Sequence, residues 1–91
     1  MNQHEQRQAI ILLSAMEDTL ALAKANLSNA RYNLEEFPHK RTMRTRHSDA
    51  HDAAVDAWNI ARQHIKRHAH LAELIDDTLP TLYLYKTEIT K

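Results

Sequence analysis

The stretch LSAMEDTLALAKANLSNARYNLEEF, residues 13–37, decides how the rest of the chain is read. Leu13, Met16, Leu20, Ala23, Leu27, Ala30, Leu34 and Phe37 recur in alternating steps of three and four. That spacing keeps apolar side chains on one narrow stripe of a helix, the a/d seam of a coiled coil. No glycine interrupts it, and the residues between are mostly long or small helix formers. The seam predicts one helix from about Gln3 to about Glu36, roughly 50 Å long at 1.5 Å per residue. Pro38 ends it, because the residue before a proline is pushed out of helical geometry.

Beyond this helix, Pro38–His47 shows no seam and is strongly basic, and it reads as a loop. Ser48 or Asp49 is then expected to cap a second helix running from about Asp49 to about Asp77. Its seam is Ala54, Trp58, Ala61, Ile65, His68, Ala72, Ile75 and Leu79, with Val55, Ala57, Leu71 and Leu74 beside it. Pro80 ends or kinks that helix. In the segment 78–91, Leu79, Leu82, Lys86 and Ile89 fit a short third helix, although Thr81–Tyr85 alternates like a strand. With no partner strand in the chain, helix is the favoured reading, and a strand added to another protein's sheet is the alternative.

The expected fold is therefore all-α: one domain over residues 1–91, built on a long antiparallel, coiled-coil-like helical hairpin with a short C-terminal third segment. Folding back would bring Ala30 near Ala54 or Trp58, Ala23 near Ala61 or Ile65, and Met16 near His68 or Ala72. Ile10, Ile11, Leu12, Leu22, Ile60, Leu71 and Leu74 have no place on a single seam. Either the C-terminal segment covers them or a second copy does, making a four-helix bundle as a homodimer.

Composition excludes several kinds of chemistry. The chain has no cysteine and no glycine, so thiolate metal sites, disulfides and glycine-rich phosphate loops are ruled out. Ser14, Ser28 and Ser48 lack a loop that would present a nucleophile, and His51 near Ser48 and Asp52 reads as a capping neighbourhood before a triad. No enzyme and no cofactor are expected. No apolar run approaches the roughly 20 residues that span a bilayer. The N-terminal residues lack the pattern of a signal peptide, so a cytoplasmic location and no membrane partner are expected.

Formal net charge is zero, but the halves differ: residues 1–47 hold seven Lys/Arg against five Asp/Glu, and residues 48–91 hold five against seven. Lys40, Arg41, Arg44 and Arg46 form a basic cluster suited to phosphates or an acidic protein surface. Tyr83 and Tyr85 are placed where they could anchor an interface. His47/His51 and His64/His68 stand at i, i+4 spacing, which puts two imidazoles on one helix face. His64 and His68 are weak metal candidates, with Glu17 as a conceivable third ligand. Structural or pH-sensing histidines are the preferred reading, and no metal is expected.

The residues thus point to a non-catalytic helical protein that acts by stoichiometric protein–protein binding, as an adaptor, chaperone-like factor or inhibitor. Accessory proteins of phages and mobile elements share this size and lack of catalytic apparatus, by analogy alone. A nucleic-acid-binding module using residues 40–46 is the alternative, and a metal- or pH-responsive bundle the second alternative.

Overall fold

The computed structural model describes residues 2–90; Met1 and Lys91 lie outside them. Within that span the chain is all-α. Helix α1 is Gln3–Glu36, α2 is Arg41–Arg67, α3 is Ala72–Thr78 and α4 is Pro80–Thr90, with a 3-10 turn at Ala69–Leu71 between α2 and α3. The molecule measures 55 × 26 × 19 Å. Its length is set by α1, which packs along α2 as in a helical bundle.

Helix α1 begins at Asn2, whose Oδ1 accepts the Glu5 amide at 2.8 Å and so satisfies one of the free N–H groups of the first turn. It ends at Phe37, where φ −131° and ψ 64° break the helix ahead of Pro38. Ala9, Leu13, Leu20 and Ala30 are buried, and Met16, Ala23, Leu27 and Leu34 are half-buried. Phe37 departs from the expected seam: it caps the helix, 48 % exposed.

The segment expected to be a basic loop is mostly helix. Only Phe37–Lys40 connects the two long helices, and α2 starts at Arg41, eight residues ahead of Asp49. Ser48 and Asp49 therefore lie inside the helix, exposed, and do not cap it. The stripe that begins at Ala54 extends backwards through Ala50, His47 and Met43, all half-buried. Those steps of four, three and four were present in the sequence; histidine and alanine made a poor apolar signal, and four cations masked it. With no proline between Pro38 and Pro80 and no glycine anywhere, nothing stops the helix there.

The second helix also ends earlier than expected. It stops at Arg67, His68 leaves helical geometry at φ −113°, ψ 30°, and the 3-10 turn leads into α3. No proline or glycine marks this break. Across the break the inward stripe shifts by one residue: Leu71, which had no place on the expected seam, is buried, the expected Ala72 is only half-buried, and Ile75 and Leu79 rejoin Ala61 and Ile65 in the core. The C-terminal segment is helical, as favoured, with Pro80 at the first position of α4, where its missing N–H costs nothing.

Leu13, Leu20, Ile75 and Leu82 are the largest fully buried side chains, from α1, α3 and α4. The densest core is thus where α3 and α4 cover one half of the α1–α2 pair. Ile11, Leu22 and Ile60 remain exposed, whereas Leu71 is buried and Leu74 half-buried.

Candidate functional site

Helix α4 is seated by a carboxylate from another helix. The N-cap residue, Leu79, has no side-chain acceptor to offer. Glu17 of α1 supplies it instead: Oε1 accepts the Thr81 amide at 2.9 Å and Oε2 the Leu82 amide at 2.8 Å. A negative charge at the positive end of a helix also meets its dipole. Glu17, considered above as a metal ligand, is committed to this tertiary cap. Lys86 of α4 binds Asp76 of α3 and closes the α3–α4 corner.

From this anchor α4 runs to Tyr85, whose ring meets Trp58 of α2 edge-on at 4.3 Å between centroids. Lys24 of α1 lies over Trp58, its ammonium 5.5 Å from the ring centroid. Burial raises the Tyr85 hydroxyl above its ordinary pKa. Three grooves meet around this aromatic pair. The most apolar, of about 320 Å³, is lined by Lys24, Leu27, His51, Ala54, Val55, Trp58, Asn59 and Tyr85. A second adds Leu84 and Thr87, and a third Arg62, Glu88 and Ile89.

The residues singled out from sequence separate into two regions. Lys40 is the N-cap of α2 without a capping hydrogen bond, and its ammonium sits 4.6 Å from the Phe37 ring centroid. Arg41, Arg44 and Arg46 occupy the first two turns of α2, exposed. Tyr83 is exposed, with Lys86 5.9 Å from its ring centroid, whereas Tyr85 is buried against Trp58. Arg41 and Trp58 are 17 residues apart on one helix, about 25 Å by helical rise. The basic cluster and the aromatic tail are therefore not one site. The groove was not legible in the sequence, because Trp58 fits the apolar seam of the second helix.

The histidines cluster at the end of α2. The Nδ1 atoms of His64 and His68 are shielded from solvent and have no hydrogen-bond partner among the described residues. The His68 and His70 rings lie 6.0 Å apart. Burial lowers the pKa of His68, and the neighbouring His70, Arg67 and His64 lower it further. Among the described residues, no three His, Cys, Asp or Glu side chains stand together as a metal site, and no helix is long and apolar enough to cross a membrane.

No family model matches this chain, and no curated protein or solved structure shows significant similarity to it.

Proposed function

We propose that this protein acts by stoichiometric binding to another protein, in the manner of an adaptor, chaperone-like factor or inhibitor, with no chemistry of its own. The observation that carries this reading is the incomplete cover of the α1–α2 pair. Helix α4 has 11 residues against 34 in α1. Beyond Tyr85 the groove between the long helices stays open, with Leu27, Ala54, Val55 and Trp58 along it. An apolar floor with an aromatic anchor and a polar rim is the usual anatomy of a protein-binding patch. The long helices form an antiparallel, coiled-coil-like hairpin in this reading, and its groove receives the partner.

The start of α2 supports the same reading. Four cations surround the positive end of a helix that has neither a side-chain cap nor an acidic residue in its first turn. This opposes helix stability, so the charge is better understood as serving an external contact. A nucleic acid is the second candidate for that contact, favoured by the exposure of Arg41, Arg44 and Arg46. A homodimer through the exposed Ile11, Leu22 and Ile60 completes the proposal. The location remains cytoplasmic in this reading.

The test is a pull-down from the native host with the parent, Val55→Glu and Leu84→Glu, with and without nuclease. Both positions are exposed, so the variants keep the parent's helicity. The expected result is a partner that survives nuclease and is lost from both variants. A partner released by nuclease supports the nucleic-acid reading. Equal recovery by all three proteins contradicts the groove.

A further inference from the structure

We infer that the outward face of α1 is a self-complementary seam on which a second copy of this chain packs with its own α1 antiparallel; this deepens the homodimer of the reading above and rests on it. The argument begins with what that face lacks. The solvent side of a surface helix is normally charged. Helix α2 follows the rule, with Asp52, Asp56, Lys66 and Arg67 exposed on its outer side. Helix α1 does not. From Ile11, alternating steps of four and three lead through Ala15, Asp18, Leu22, Ala25 and Asn29 to Tyr32, all of them exposed. This is a second coiled-coil spacing. It lies roughly opposite the stripe of Leu13, Leu20 and Ala30 that faces the core. Asp18 is its only charged member, and the positions flanking it on the helix surface, from Leu12 to Asn33, carry no charge. Ile11, Leu22 and Tyr32 are 62, 63 and 61 % exposed, the largest apolar side chains of α1 left in water. Large apolar groups on an uncharged helix face mark an interface.

Charge and size select a second copy, and its direction. A parallel pairing sets Asp18 against Asp18 of the other chain, and like charges face to face oppose association. In the antiparallel pairing with its two-fold axis level with Ala23 and Lys24, Asp18 meets Asn29 of the other chain. That amide donates to the carboxylate, and the two Asp18 side chains are then about 16 Å apart along the helices. In the same register Leu22 meets Ala25 and Tyr32 meets Ala15. Each large side chain faces a small one, and the two-fold axis makes both contacts twice. At either end Ile11 lies opposite Glu36, which brings Glu36 within one turn of Arg7 on the other chain. The contact from Ile11 to Glu36 is about 38 Å long. A strip one helix face wide then buries on the order of 500 Å² per copy, the lower end for a specific interface, so the dimer forms in the micromolar range.

The chain has no cysteine, so an introduced thiol reports its own position alone. Ala15→Cys and Tyr32→Cys leave Asp18 and Asn29 in place, and both positions are exposed. Each variant is oxidised by itself and mixed with the other. A disulfide requires Cα atoms within about 7 Å. The expected result is a covalent dimer in the mixture and little in either variant alone. Linkage of each variant to itself, with none gained on mixing, means a parallel pairing and overturns the inference. Sedimentation of the parent over a concentration series is expected to show a monomer–dimer equilibrium. Leu22→Glu/Ala25→Glu is expected to weaken it at least ten-fold with helicity unchanged. A dimer that survives this double change and gives no mixed disulfide uses another face; that overturns the inference and leaves the homodimer standing. A parent that stays monomeric at every concentration removes both.

Discussion

At the scale of single residues, Glu17 and His68 carry the sharpest consequences. Glu17 accepts two backbone amides of α4 that have no other acceptor in their own helix, so Glu17→Ala leaves both exposed to partial burial without a partner. The expected cost is about 1–2 kcal/mol. Thermal melting checks the size, and hydrogen exchange at Thr81 and Leu82 checks the place. Unchanged protection there would remove Glu17 as the anchor. His68 makes stability depend on pH. Its folded pKa lies below the ordinary 6.5, so the unfolded chain binds a proton more readily. Stability is thus full above 6.5 and declines as pH falls below it. His68→Leu should flatten the fall in melting temperature between pH 7.5 and 5.5. An identical pH profile in parent and variant would assign the dependence to other groups. Neither role was legible in the sequence. Glu17 is separated from Thr81 by 64 positions, and only the tertiary fold brings them together.

At the scale of elements, the long seam was legible because Leu13 to Leu34 repeats without interruption, and periodicity of that length has few competing readings. The start of α2 was not. Its seam residues are Met43, His47 and Ala50, and the arginines between them resemble a solvated connection. The helix forms because its later turns are packed against α1, which outweighs the charge at its first turn. This makes Lys40→Asp an informative change. A side-chain acceptor placed at the N-cap, with a negative charge near the positive end, should stabilise the protein by about 0.5–1 kcal/mol. A lower melting temperature would show that Lys40 over Phe37 contributes more than the missing cap. The break at Arg67–Leu71 was illegible for another reason: His68, Ala72 and Ile75 carry a helical spacing straight through it and no breaker residue marks it, although the structure buries Leu71 in place of Ala72. In the tight part of the α1–α2 contact, Ala61 is almost fully buried. Ala61→Leu should overpack it at a cost of about 1–3 kcal/mol, whereas Asn29→Leu, on an exposed position, should cost little. Equal shifts in melting temperature would contradict this placement.

At the scale of the whole molecule, two long helices are covered by shorter ones over about half their length, and the rest is a two-helix stretch in which Ala30 and Ala54 are buried but Leu27, Leu34, Met43 and Ala50 only half-buried. Two helices alone bury too little to be dry, so the uncovered stretch should be the first to exchange its amides in the free protein. Amides of Leu27–Leu34 and Met43–Ala50 are expected to exchange faster than those of Leu13–Leu20 and Ala61–Ile65. A uniform pattern would mean that the hairpin tip is stabilised without a partner. The apolar residues left outside, Leu22 at 63 % exposure among them, bear on self-association. A homodimer covering them gives twice the chain mass in light scattering and a melting temperature that rises with concentration. A concentration-independent monomer removes it without touching the groove. The central claim is that the open α1–α2 groove is a protein-binding site, and chemical-shift mapping with the partner recovered in the pull-down addresses it most directly. The account predicts perturbations concentrated at Leu27, Val55 and the Trp58 indole, and extending toward Leu34 and Met43. Perturbations confined to other surfaces, or none at saturating partner, would contradict it.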